Sequence, residues 1–206
     1  MGNVMSEPVQ NSPVHEFTAE PLQWSPYLKP VRLEEATPEQ LDAMKVTPSN
    51  KKVSEYVLTL AHDPESLAVR SPLFNAIMYG RDGLSRAERE LGAVGASIVN
   101  RCVYCASVHA AQFNRLTERT DVIARIFADG PAAELEEHQQ AIFDFAVKLS
   151  ETPPAVTRED AAALRDCGLS ALEMADLVLS AAIFGWANRL MHTLGEPLRP
   201  PAKPVA

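Results

Sequence analysis

The chain has 206 residues, 46% hydrophobic and 22% charged, with a formal net charge of −8. That length and composition fit one substantial globular domain, and the acidity argues against nucleic acid or anionic membrane surfaces as main partners. No basic cluster or apolar run opens the chain and no stretch approaches the ~20 apolar residues of a membrane span, so the expected compartment is the cytoplasm.

Residues 1–38 carry Pro8, Pro13, Pro21, Pro26, Pro30 and Pro38. Such density excludes long helices and predicts an extended arm, which could lie on a neighbouring subunit. Residues 39–196 read as a single all-α domain with a motif core over about 72–150, and 197–206 read as a proline-rich tail. Helices are predicted over Pro48–Leu60 and Pro64–Tyr79. Ser85-Arg-Ala-Glu88 is a capping box that opens Leu84–Val99. A break is placed at Asn100-Arg101, because asparagine is the likeliest local breaker in a stretch without proline. A second helix follows. Apolar residues at Ile142, Phe145, Ala146 and Leu149 predict an amphipathic helix over about Ala133–Ser150. Thr157 opens the next helix. Ser170-Ala-Leu-Glu173 caps the last, with Leu172, Ala175, Leu179 and Ile183 as its expected inner face. Alternating strand patterns and Asn-Gly turns are nearly absent.

Cys102 and Cys105 stand three apart, with His109 four further on. On a helix these fall at about 0°, 300° and 340° around the axis, at about 100° per residue, and so share one face. In an antiparallel hairpin folded at Asn100, Glu90 comes level with His109. The cysteines then sit at a helix N-terminus, which favours a thiolate, and a low pKa is expected at Cys105. Such a thiolate can attack a peroxide, pass through a sulfenic acid and close a disulfide with its neighbour. His109 can supply the proton and Glu90 can orient the imidazole. His109 lies one turn from Cys105, which makes Cys105 the candidate peroxidatic thiol and Cys102 the resolving one.

Other readings of the same residues stay open. The cysteines can be packing residues, or zinc ligands together with His109 and Glu90. Glu90 can be a solvated helix carboxylate and His109 a core histidine. Tyr104 reads mainly as a packing aromatic, with an accessory role at the site as the alternative. Cys167 reads as a small buried hydrophobe. Asn188 and Arg189 read mainly as structural hydrogen-bonding groups, with a role at the pocket or subunit interface as the alternative, and His62, His138 and His192 lack partner spacing.

The pattern Glu90-x(11)-Cys102-x-x-Cys105-x-x-x-His109 resembles the carboxymuconolactone decarboxylase / alkyl hydroperoxidase D superfamily. Leu84–Glu90, Asn100–Cys105, Leu164–Ser170 and Phe184–Arg189 resemble its peroxidase-related branch. The resemblance covers roughly residues 40–196. It implies an all-helical fold, a homo-oligomer (dimer, trimer or hexamer) and antioxidant reduction of hydrogen peroxide or organic hydroperoxides at the expense of a thiol or dithiol reductant. No cofactor and no resident metal are expected. Well-studied alkyl hydroperoxidase D proteins carry a histidine where this chain has Tyr104. The decarboxylase branch generally lacks the cysteine pair, which argues against lactone decarboxylation. A thiol–disulfide oxidoreductase of the same fold is the alternative activity, and a zinc-binding or structural module the third reading.

Overall fold

Short polar side chains set where most of the helices begin. In the computed structural model, which describes residues 12–45 and 53–201, Ser or Thr caps α1 (Pro38–Ala43), α2 (Glu55–Leu60), α4 (Arg86–Val99), α8 (Arg158–Asp166) and α9 (Ala171–Leu194). Asp63 caps α3 (Pro64–Tyr79), whose proline fills the first turn. The boxes at Ser85/Glu88 and Ser170/Glu173 are both formed. The remaining helices are α5 (Val103–Thr117), α6 (Asp121–Asp129) and α7 (Glu137–Ser150). The fold is all-α, with one two-stranded sheet. None of the helices in the described residues is long and apolar enough to cross a membrane.

Helix α4 is the axis of the fold. Every residue from Arg89 to Ile98 is buried, and α5, α7 and α9 pack around it. Gly95 permits the approach of α7: a Cβ there would lie 2.9 Å from the Ala146 methyl. Leu91, Val94 and Ile98 join Phe113, Ile123, Ile126, Ile142, Phe143, Leu164 and Leu177 in the main core. Each such side chain contributes about 1.5–3 kcal/mol on burial. Arg89, on the same buried helix, sets its two terminal nitrogens on the carbonyls of Gly80 (2.8 Å) and Asp82 (2.7 Å) and on the Asp176 carboxylate (2.6 Å). Loss of either charge would strand the other in the interior.

Four expectations need correction. The amphipathic helix starts at Glu137, four residues after Ala133, because Ala133–Glu136 are extended. Of the helix expected over Pro48–Leu60, residues 48–52 lie outside the described residues, and among the rest helix begins at Glu55 behind the Ser54 cap. On α9 the inner face consists of Leu177, Ser180, Ala181, Phe184, Ala187, Asn188 and Met191, whereas Leu172 and Leu179 are 55% and 47% exposed. That helix is apolar on several sides, so periodicity did not single out the buried one. Cys167 is only partly buried, at the C-terminus of α8, although it packs against the core.

The described part of the proline-rich arm lies on its own chain. Strand β1 (Gln23–Pro26) pairs antiparallel with β2 (Gly195–Leu198), matching Trp24 to Pro197. Val14 N–H adds a bond to the Pro197 carbonyl at 2.9 Å, and Tyr27 N–H another to Leu194 at 2.8 Å. Gly195 is needed for close contact: a Cβ there would lie 2.4 Å from both the Ser25 carbonyl and the Trp24 ring. Residues 1–11 and 202–206 of the expected arm and tail lie outside the described residues.

Candidate active site

The turn between α4 and α5 places the cysteines. Asn100 ends α4, and Arg101 adopts a left-handed backbone with φ 55°. Arg101 N–H bonds to the Ile98 carbonyl (3.1 Å) and Cys102 N–H to Ser97 (2.9 Å), the paired closure that reverses a chain after a helix. A non-glycine residue in this conformation costs about 1–2 kcal/mol, which the packing of α4 against α5 must offset. The predicted break is therefore where the chain turns. Cys102 is the residue immediately before α5, and Cys105 and His109 lie one and two turns in.

The hairpin brings Glu90 to His109. The Glu90 carboxylate, fully buried, bonds with its second oxygen to the His109 Nδ1 at 2.5 Å. Its first oxygen accepts from the Arg86 Nε at 2.6 Å. Burial pushes the Glu90 carboxyl up, but the charge and hydrogen bonds of His109 and Arg86 outweigh it and hold the group below the usual carboxylate range. Edge-to-face contact with Phe184, 4.2 Å between ring centres, fixes the other side of the imidazole. Arg86 in turn lies 4.0 Å over the Tyr79 ring.

Both cysteines are buried free thiols, packed in one cluster with Trp24 and Met191. The expected low pKa at Cys105 is reversed in this reduced pair. The Cys105 thiol is pushed well up, first by donating its proton to Cys102, then by burial and the neighbouring charge. Cys102 is held below the ordinary thiol value, because Cys105 donates to it and the outward N–H groups of Cys105 and Tyr104 face it. It makes no regular capping hydrogen bond, so the helix start acts on it electrostatically. The first reason for the reversal is that Cys105 is the donor and Cys102 the acceptor within the pair; position adds to it, since the residue before the helix meets free N–H groups.

Asn188, read from the sequence mainly as a structural group, lies at the cysteines. It is fully buried on α9, and its side-chain amide acts on both thiols, lowering the pKa of each. Its amide also donates to the Ser97 Oγ (3.3 Å), and its oxygen accepts from Asn100 (3.2 Å), so it ties α9 to the turn. Trp24 was missed. It packs in one cluster with Cys102, Cys105 and Met191, and its indole N–H bonds to the Met191 carbonyl at 3.2 Å.

The two thiols face different cavities. Cys105 and His109 line one of about 570 Å³, with Glu90, Phe74, Phe184 and Arg70. Cys102 lines another of about 270 Å³, walled by Trp24, Val14, Arg101 and Pro197. Half-buried Tyr104 borders both, and burial, then Cys105, raise its phenol pKa. Tyr56, which the sequence did not single out, lines the larger cavity and stands edge-on to Trp24, 5.5 Å between ring centres. Among the described residues no three His, Cys, Asp or Glu side chains form a group that could hold a metal ion.

Residues 64–146 match the carboxymuconolactone decarboxylase family. A comparison with curated proteins finds no match. Among solved structures, the chain is similar to an alkylhydroperoxidase AhpD core, an uncharacterized peroxidase-related protein from Ralstonia eutropha JMP134. The TM-score is 0.71 and the identity 26%, over 82% of this chain and 90% of that one. A peroxidase-related protein from Silicibacter sp. TM1040 gives 0.64 and 22%, over 94% and 95%. The debrominase Bmp8 gives 0.67 and 19%, over 80% and 87%. The last two establish shared fold only. The family segment in α3–α7 and the AhpD-like helical fold together support the carboxymuconolactone decarboxylase / alkyl hydroperoxidase D superfamily for this chain.

Proposed function

We propose that the protein is a thiol-dependent peroxidase that reduces hydrogen peroxide or organic hydroperoxides at Cys105. The observation that carries this reading is the shared cavity of Cys105 and His109, with His109 held by buried Glu90. A peroxide in that cavity meets the Cys105 sulfur. As the sulfur attacks the distal oxygen and the O–O bond breaks, the Cys105 proton passes to the thiolate of Cys102, its neighbour in the same buried cluster. The departing alkoxide takes a proton from His109, leaving an alcohol and a Cys105 sulfenic acid. Cys102 then attacks Cys105, its proton joins the expelled hydroxide as water, and a disulfide remains. A thiol or dithiol donor restores the pair by exchange, and the separate cavity at Cys102 gives it an approach that substrate does not block.

The test is consumption of cumene hydroperoxide and hydrogen peroxide with dithiothreitol as donor. The expected result is turnover in the wild type and none in Cys105→Ser or Cys102→Ser. Unchanged turnover in both variants would overturn the proposal. Rapid exchange with a disulfide substrate beside negligible peroxide turnover would favour the oxidoreductase reading. The aromatic walls, Phe74, Tyr79 and Phe184, favour one further reading, since the same fold occurs in a debrominase. The dithiol would then replace an aryl bromine by hydrogen, releasing bromide and a proton and closing the disulfide. Bromide release from 2,3,4-tribromopyrrole tests it.

We further propose that the protein acts as a homo-oligomer in the cytoplasm. The exposed apolar stripe of Leu172, Leu179 and Trp186 along α9 supports association between copies.

A further inference from the structure

Among the described residues Arg70 has no carboxylate counter-ion. It lies on α3, with its guanidinium carbon 4.4 Å over the Phe74 ring and 5.9 Å from the Tyr56 ring centre. No carboxylate among the described residues lies within ion-pair distance of it, and its buried Nε has no hydrogen-bond partner. The Tyr56 hydroxyl is also buried without a partner. Unsatisfied donors of this kind are costly, and native interiors rarely keep two side by side without a use. Burial lowers the Arg70 pKa and raises that of Tyr56, as expected for polar groups held away from solvent.

Both groups line the Cys105 cavity. Its other arginines are engaged: Arg86 is paired with Glu90, and Arg115 bonds to Gln112. The wall thus carries three arginines against the single carboxylate of Glu90, in a chain whose formal net charge is −8. A positive cavity in an acidic protein selects anions. Around it stand Phe74, Phe184 and Tyr79, which suit an apolar or aromatic body.

We propose that the substrate of this cavity carries a carboxylate, seated on the Arg70 guanidinium and the Tyr56 hydroxyl, with an apolar body against Phe74 and Phe184 and its peroxide bond toward Cys105. This rests on the reading of the cavity as the peroxide site, and it narrows the substrate class to anionic organic hydroperoxides.

Cumene hydroperoxide and its para-carboxylate differ only in the anion. The expected kcat/KM is about 10- to 100-fold higher for the carboxylate, the range of one charged hydrogen-bonded pair. Arg70→Gln should bring the ratio near one, and Arg70→Lys should restore part of it. Tyr56→Phe, which removes only a hydroxyl, should reduce the ratio several-fold and serves if the arginine variants do not fold. An arginine that only favours the Cys105 thiolate would slow both substrates alike and leave the ratio unchanged, which overturns the seat while the peroxidase reading survives. If neither hydroperoxide is consumed, the peroxidase reading fails, and calorimetry with 4-isopropylbenzoate on the Cys105→Ser protein still decides the seat. Binding lost in Arg70→Gln, or with Tyr56→Phe where that variant does not fold, supports it. Equal binding, or none, by the proteins with and without the substitution overturns it.

Discussion

Replacing Glu90 with glutamine removes a charge and little else. The carboxylate is fully buried and holds His109 on one oxygen and Arg86 on the other. Breaking a buried pair costs about 3–5 kcal/mol when the remaining charge is stranded. Here the amide oxygen can still accept one bond, and Arg86, with 28% of its side chain exposed, can turn to water. The expected loss of stability near pH 7 is therefore about 2–4 kcal/mol by urea denaturation. Glutamine orients the imidazole less firmly and does not balance its positive form. A positioned acid or base contributes about 10²–10⁴-fold, so kcat/KM for cumene hydroperoxide should fall about 100-fold, while diamide still closes the disulfide. The pH dependence carries a sign. The folded-state pKa of Glu90 lies below its ordinary value of 4.5, so its stabilising contribution is present above that value and is lost as pH falls through the folded pKa. Wild type and Glu90→Gln should thus converge in stability below about pH 4.5. A variant as fast as wild type, or a stability gap constant from neutral to strongly acid pH, would refute the reasoning.

The thiol assignment predicts that, at limiting iodoacetamide and near-neutral pH, the first adduct appears on Cys102 in peptide mass spectra; a first adduct on Cys105 would reverse it. Gly95→Val should destabilise by about 1–3 kcal/mol, because its new side chain must displace α7 at Ala146. An unchanged urea midpoint would show that α7 gives way freely. Light scattering should report a mass above the 22.5 kDa of one chain, and Leu179→Glu should shift it toward the monomer. A wild type that is monomeric at micromolar concentration would remove the interface.

The hairpin was legible because its signals are local. Ser85 and Glu88 start one helix, Asn100 ends it, and the spacing from Glu90 to His109 then follows from helix geometry. The groups that complete the site come from far along the chain. Trp24 reaches the cysteines from the arm, Tyr56 and Arg70 from α2 and α3, and Asn188 from α9. Trp24, Tyr56 and Arg70 belong to no motif, Asn188 lies in a stretch whose role spacing alone does not reveal, and their convergence is a product of tertiary packing. The two-stranded sheet was hidden for the same reason, since it joins the chain's two ends and β1 contains a proline. On α9 the signal was present but ambiguous: several sides are apolar, and only the neighbours decide which is inside. The direction of the two thiol shifts depends first on which sulfur donates to the other and then on Cys102 lying just outside the helix and Cys105 within it, neither of which the motif spells out.

The packing of Trp24 against Cys102 and Cys105 gives the molecule an optical readout of its own. A disulfide accepts an electron from an excited indole far more readily than a thiol does. Light emitted by Trp24 should dim when the pair closes and recover on reduction. The other tryptophan, Trp186, is 45% exposed on α9 and can be replaced by phenylalanine to leave one emitter. Each turnover could then be followed in a stopped-flow cuvette without dye, label or coupled enzyme.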